Sequence, residues 1–310
     1  MDRIVITGMG TVNPLGNTVE ESWKHAVAGR SGIAPITLFD AQDLPVKLAG
    51  EVKDFQPGEF MLAKETRRRD RYQQLAAAAA QEAIQHAGID IDQERANRVG
   101  VIVSSAIGGL ESIAANIELL LNKGHRGSSP FVIPQLMSNG AASFISIDHT
   151  YQGPSFSVAS ACASGADAIC IARMLIQSGV IDVAITGGSD ATVTEVAVAA
   201  FDKLRALSHK NELPASTPQP FDKNRDGLVI GEGAAVLVLE KEKQAKTRGA
   251  IIHAELAGYG STADAYHITA PSENGMGGAN AIEIALKDAR INADEIGYIN
   301  AHGTATRLND

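Results

Sequence analysis

The sequence predicts an α/β fold with a duplicated core around a parallel sheet, and three observations predict it. β-rich apolar runs alternate with helix-forming stretches along most of the chain. One of them, VGVIVSS at Val99–Ser105, is almost continuously apolar, as befits a parallel strand covered on both faces. A helix-to-strand unit at Gln73–Ser105 (helix, HAGID, a polar link, VGVIVSS) is echoed later. The echo is a helix at Ala279–Asp288, then ARINA, a short link and IGYINAHGT at Ile296–Thr304.

The elements follow in chain order. RIVITGMG at the start is a β-rich run ending in glycines, and Glu20–Ala28 reads as an amphipathic helix. QQLAAAAAQEAIQHA, Gln73–Ala87, is rich in strong helix formers, and Gly88 is placed to end it. Ser155–Ala161 reads as a strand, Ala163–Gln177 as a helix and Ile181–Thr186 as a strand. A long irregular segment containing PASTPQPFDKNRDG precedes a last apolar run, Gly233–Glu240. The echo divides the chain at 1–250 and 251–310, the second part being the start of a second, similar half. That second copy stops at Asp310, directly after its strand, so a sheet lacking strands and covering helices is expected, with apolar faces open to water.

Composition narrows the function. The net charge is −9, which argues against broad nucleic-acid binding, because phosphate contacts need basic surface. No run of about 18 uncharged apolar residues suggests a membrane span. The opening MDRIVITGMG lacks the basic-then-apolar order of a signal peptide, so a cytoplasm-like compartment is expected, an organelle stroma or matrix remaining compatible. The two cysteines, Cys162 and Cys170, are too few for a disulfide framework and lie over two helical turns apart.

Two segments carry chemistry. In SFSVASACASGADAICIARMLIQSG a β-rich run meets Cys162 where an alanine-rich helix begins, with Ala161, Ala163, Ser164 and Gly165 crowding the turn. Backbone dipoles and unpaired N–H groups at a helix start favour a thiolate and can hold an oxyanion when a thioester is attacked. Cys170, inside the helix among Ile169, Ile171 and Ala172, reads as core. In YINAHGTATRLND, His302 follows a strand and is trailed by Gly303, Thr304 and Thr306, placing an imidazole in the crevice where α/β sheets bind ligands. The other seven histidines have no comparable setting, and His267 in the loop DAYHITAP is the only one to watch.

Together with FDKNRDGLVIGEGAAVLVLE (221–240) and STADAYHITAPSENG (261–275), these motifs make the chain resemble an elongating β-ketoacyl-ACP synthase of the ketosynthase II type, from Arg3 to Asp310. The resemblance implies a thiolase-like fold, two similar βαβαβαββ halves stacked in five layers, the second half incomplete here. It implies that Cys162 takes the acyl chain from acyl-ACP and that His302 assists decarboxylation of malonyl-ACP. The enolate formed then attacks the thioester, with no metal or redox cofactor. By motif match Thr304, Thr306 and Thr269 would bind the phosphopantetheine arm of ACP, and Ile107 and Ile133 would line the acyl tunnel. ACP is acidic, and the resemblance sets Lys64, Arg67 and Arg68 of KETRRRDR, with Arg205, to meet it. It also implies a homodimer pairing Ser155–Ala161 with its twin.

The family's second histidine, its lysine and its phenylalanine-bearing glycine loop match nothing before Asp310. If Asp310 is the true end, the chain is expected neither to fold stably nor to elongate. Rival readings are a polyketide-type ketosynthase, a non-condensing partner subunit, and a thiolase or initiating synthase. A dinucleotide oxidoreductase is disfavoured because, after Gly8 and Gly10, Asn13 stands where the fingerprint needs its third glycine.

Overall fold

A computed structural model describes residues 2–89 and 95–310 of the chain. Its strands are β1 Ile4–Val12, β2 Ile33–Pro35, β3 Leu48–Gly50, β4 Val99–Ser104, β5 Ser155–Phe156, β6 Val183–Ala191, β7 Glu232–Lys241 and β8 Ala254–Glu255. Its helices are α1 Val19–Val27, α2 Ala63–Thr66, α3 Arg71–Ala87, α4 Leu110–Lys123, α5 Val132–Leu136, α6 Gly140–His149, α7 Ser164–Gln177, α8 Glu195–Lys203, α9 Glu242–Thr247 and α10 Met276–Ala289.

The main sheet has the order β5-β4-β6-β7-β1-β8. β4 runs parallel to β5 and β6, as its apolar run predicts. The remaining pairs are antiparallel, so the sheet is mixed rather than wholly parallel. The reason lies in the excursion through 192–231: it returns the chain to the end of β6 where it left, pairing Ala191 with Glu232, and an antiparallel neighbour needs no crossover helix.

Helices cover both faces. Val99, Val101 and Val103 of β4 pack into the cluster formed with α3 and α6, while Ile102 packs against Ala168, Ala172 and Ile176 of α7. α3 starts at a capping box between Asp70 and Gln73 and ends at Gly88 with φ 58°. Its alanines let it lie almost on the sheet. A Cβ on Gly8 would stand 2.2 Å from the Ala83 carbonyl oxygen, and one on Gly10 only 2.0 Å from that of Ala79. These glycines sit inside β1 and press on a helix flank. They do not form the strand-to-helix turn that a dinucleotide needs.

The same joint recurs in the second part. Cβ atoms on Gly258 and Gly260 would lie 2.3 and 2.0 Å from the carbonyl oxygens of Ala285 and Ala281 in α10. Ala79, Ala83 and Ala87 in α3 therefore match Ala281, Ala285 and Ala289 in α10, each set at i, i+4, i+8. Arg290 adopts the left-handed end, φ 58°, that Gly88 supplies in the first copy. The expected strand at Ile296–Thr304 does not form: no strand neighbours it among the described residues, and Tyr298 and Ile299 are 80% and 67% exposed. Without a ladder partner an extended segment leaves its N–H and C=O groups to water. The polar link expected before β4 falls partly on residues 90–94, outside the described residues.

Candidate active site

Cys162 stands where the sequence places it, at the entry to α7. The expected strand before it is shorter than read, Ser155–Phe156 only, and the last approach is irregular. Ala161–Ala163 then make a tight helical turn that runs into α7 at Ser164. Ala161 has φ 51°, a left-handed conformation unusual for a residue with a Cβ. Such a kink persists only where neighbouring bonds over-determine it. Here the Ser160 N–H donates to Ser164 Oγ at 2.9 Å, and the Ser164 hydroxyl donates to the Ala161 carbonyl at 2.7 Å.

The kink turns the thiol outward: Cys162 is exposed. It opens on a cleft of about 380 Å³ lined by Ser104, Ser164, Gly165, Gly188, Asp190 and Ala235 among others. Gly165 and Gly188 let α7 approach β6 closely, since a Cβ on Gly188 would meet the Gly165 Cα at 3.2 Å. Asp190, on the cleft wall, accepts from Ser105 Oγ at 2.7 Å and from the backbone N–H groups of Ala106 and Ile107 at 3.1 and 3.2 Å. Cys170 is the opposite case. It is buried, and burial, helped by the nearby Asp167 charge, pushes its thiol up to about 11.

The other predicted site residues fall into separate groups. His302 is exposed, and no residue of 253–310 lines the Cys162 cleft. Thr304 and Thr306 are brought together, their hydroxyls 2.9 Å apart. Their turn packs on the 220–225 segment: Arg225 Nε donates to the Thr306 carbonyl at 3.2 Å, and the Phe221 N–H to Asp310 Oδ2 at 3.0 Å. Thr269 is exposed beside His267, whose Nδ1 accepts its N–H at 3.1 Å. Ile107 and Ile133, 37% and 60% exposed, lie on adjoining segments, because the Gly109 N–H donates to the Leu136 carbonyl at 3.2 Å. Lys64, Arg67, Arg68 and Arg205 are all exposed. Among the described residues, no three His, Cys, Asp or Glu side chains converge as metal ligands would.

Comparison with known proteins agrees with this architecture. Residues 1–245 match the N-terminal domain of β-ketoacyl synthases and residues 253–310 match the C-terminal domain. The 3-oxoacyl-[acyl-carrier-protein] synthase 2 of Vibrio harveyi is 44% identical over 99% of this chain and 74% of its own length. The synthase of the same name from Staphylococcus aureus gives the same identity and coverage. A β-ketoacyl synthase structure from Burkholderia phymatum superposes with a TM-score of 0.91 at 38% identity, covering 100% of this chain and 76% of its own. A type II polyketide ketosynthase, solved in complex with its acyl-carrier protein, gives 0.87 at 32% identity over 100% and 75%.

The chain belongs to the β-ketoacyl synthase family, and its fold is the thiolase-like ketosynthase fold. It is an acyltransferase of the 3-oxoacyl-ACP synthase 2 kind, the condensing enzyme of fatty-acid chain elongation.

Proposed function

We propose that Cys162 is the acyl-accepting nucleophile and His302 the residue that assists decarboxylation. One observation carries the reading: of the two cysteines, only Cys162 is exposed, on a strained turn at a helix start that opens into a cleft. The Cys162 sulfur attacks the thioester of acyl-ACP, and the ACP thiol leaves. Backbone N–H dipoles at a helix start are suited to hold the oxyanion formed on the way. Malonyl-ACP then loses CO2, and an imidazole N–H donating to the thioester oxygen stabilises the enolate. The enolate carbon attacks the acyl-cysteine, releasing the Cys162 thiolate and a β-ketoacyl-ACP two carbons longer. Thr304 and Thr306, with Thr269, offer hydroxyls to the amides of the phosphopantetheine arm. Ile107 and Ile133 offer apolar surface to the acyl chain.

Acyl carrier protein is the expected partner, meeting Lys64, Arg67, Arg68 and Arg205. The ketosynthase neighbour solved with its acyl-carrier protein supports that partnership. The division into 1–250 and 251–310 is supported by the two family matches, which meet between 245 and 253. A homodimer through β5 fits its place at the sheet edge, and a sedimentation mass of one chain would contradict it. Among the described residues no helix is long and apolar enough to cross a membrane, which is compatible with the cytoplasm-like compartment we propose. The polyketide alternative rests on neighbours of lower identity, 32% against the 44% of the fatty-acid synthases.

Mass spectrometry of the chain incubated with cerulenin or acyl-ACP tests the nucleophile. A covalent adduct mapped to Cys162 and lost in Cys162→Ala is expected. An adduct on Cys170, or none, would overturn the assignment.

A further inference from the structure

The turn that presents Cys162 is tied to the second part of the chain by a run of hydrogen bonds through α7. The Ser160 hydroxyl, two residues before the cysteine, donates to Asp167 Oδ2 at 2.5 Å. The other oxygen of that carboxylate, Oδ1, accepts the Tyr259 hydroxyl at 2.7 Å, from a residue 92 positions away in the chain. Tyr259 is itself anchored, because its N–H donates to Asp288 Oδ2 of α10 at 3.0 Å. The same Asp288 oxygen accepts Arg173 Nη1 at 2.8 Å, and Arg173 Nη2 donates to the Ala257 carbonyl at 3.0 Å. Arg173 is 7% exposed. Asp167 and Arg173 lie six residues apart on α7, about 9 Å along its axis. One helix thus reaches α10 with one residue and the nucleophile's turn with the other.

We propose that Asp167 is a positioning residue for Cys162, and that Tyr259 holds Asp167 in the orientation this requires. The proposal rests on Cys162 being the nucleophile. Ser160 is held at two points, its N–H by Ser164 and its hydroxyl by Asp167. With φ already left-handed at Ala161, those two bonds determine how the next residue enters α7. A carboxylate with one oxygen free could rotate away from Ser160, and the Tyr259 hydroxyl removes that freedom. The segment matched by the C-terminal family domain therefore acts on the nucleophile's orientation through α7, separately from any group it places in the cleft.

Reactivity and stability separate this role from simple adhesion between the two parts. The measurement is the rate of Cys162 alkylation by iodoacetamide across pH, with the adduct located by peptide mapping and thermal melting followed in parallel. Tyr259→Phe removes one oxygen and Asp167→Asn replaces one acceptor with an amide. Each is expected to lower the high-pH plateau rate by about fivefold, within the range that a small misplacement of a reacting group produces. The double variant is expected to fall no further than Asp167→Asn alone, because both changes break one chain of bonds. Ser160→Ala cuts that chain at the opposite end and should give the same plateau if either other variant fails to fold. Melting shifts with an unchanged plateau in all folded variants would overturn the proposal. Absence of a Cys162 adduct in the unaltered chain would overturn the nucleophile assignment, and this proposal with it.

Discussion

Cys162 and Cys170 lie on one helical run eight residues apart, yet their surroundings assign them opposite chemistry. The first sits on the open turn. The second is on the buried face of α7, where burial of the thiolate pushes its titration to about 11. At pH 8 iodoacetamide should therefore modify Cys162 alone, Cys170 becoming reactive only as the pH approaches 11 in protein that remains folded. The linkage has the same sign. A thiol whose folded value is raised above its unfolded one stabilises the fold below about 9, and that contribution is lost as pH rises through about 11. Peptide mapping over a pH series reads both cysteines in one experiment, and equal labelling at pH 8 would contradict the contrast. The exposed setting of Cys162 was legible in the sequence because small residues crowd one cysteine at a strand-to-helix junction. Its supports were not: Ser160, Asp167 and Tyr259 meet only through the fold, and nothing in their local sequence marks them as partners.

The elements were legible where one rule dominates. Continuous apolar runs gave β4 and β7, an alanine-rich stretch ended by a left-handed glycine gave α3, and α7 too was read close to its observed bounds. Extended pairing at Ile296–Thr304 was misread, because strand propensity describes fit to a neighbour and no strand neighbours it among the described residues. The glycine-to-alanine joint was overlooked although its signal is simple: G-x-G in one segment and alanines at i, i+4, i+8 in a later helix. Gly10→Ala tests that joint. A methyl group 2.0 Å from the Ala79 carbonyl oxygen must displace backbone, and a loss of about 1–3 kcal/mol or more is expected in urea unfolding. Gly278→Ala in α10 is the contrast, since nothing lies within 4 Å of the added methyl. Better helix propensity should there stabilise by about 0.5–1 kcal/mol. Similar losses at both positions would show that the close approach at Gly10 is not what makes glycine necessary.

Over the whole molecule, charge has to reconcile an acidic chain with an acidic partner. The net charge is −9, so an acyl carrier protein must be drawn to a local positive surface. The run KETRRRDR reads in the sequence as one basic patch, but the fold divides it. Arg69 is 3% exposed and makes a two-pronged pair with Asp148 at 2.6 Å, and Arg71 pairs in the same way with Glu232. Lys64, Arg67 and Arg68 remain outside, Arg68 lying 5.2 Å over the Phe131 ring and 3.0 Å from Glu65. Reversing an exposed member, as in Lys64→Glu or Arg67→Glu, should slow association with acyl-ACP by about tenfold at low salt while leaving the melting temperature in place. The deficit should shrink as salt is raised, because exposed charges are screened within about 8–10 Å at physiological ionic strength. Arg69→Glu should instead destabilise the fold, since Asp148 loses its partner and a buried site gains an unpaired carboxylate. Stopped-flow association over a salt series, run beside thermal melts, distinguishes the two outcomes. Salt-independent association that is equally fast in Lys64→Glu, Arg67→Glu and the unaltered chain would place the docking surface elsewhere on the molecule.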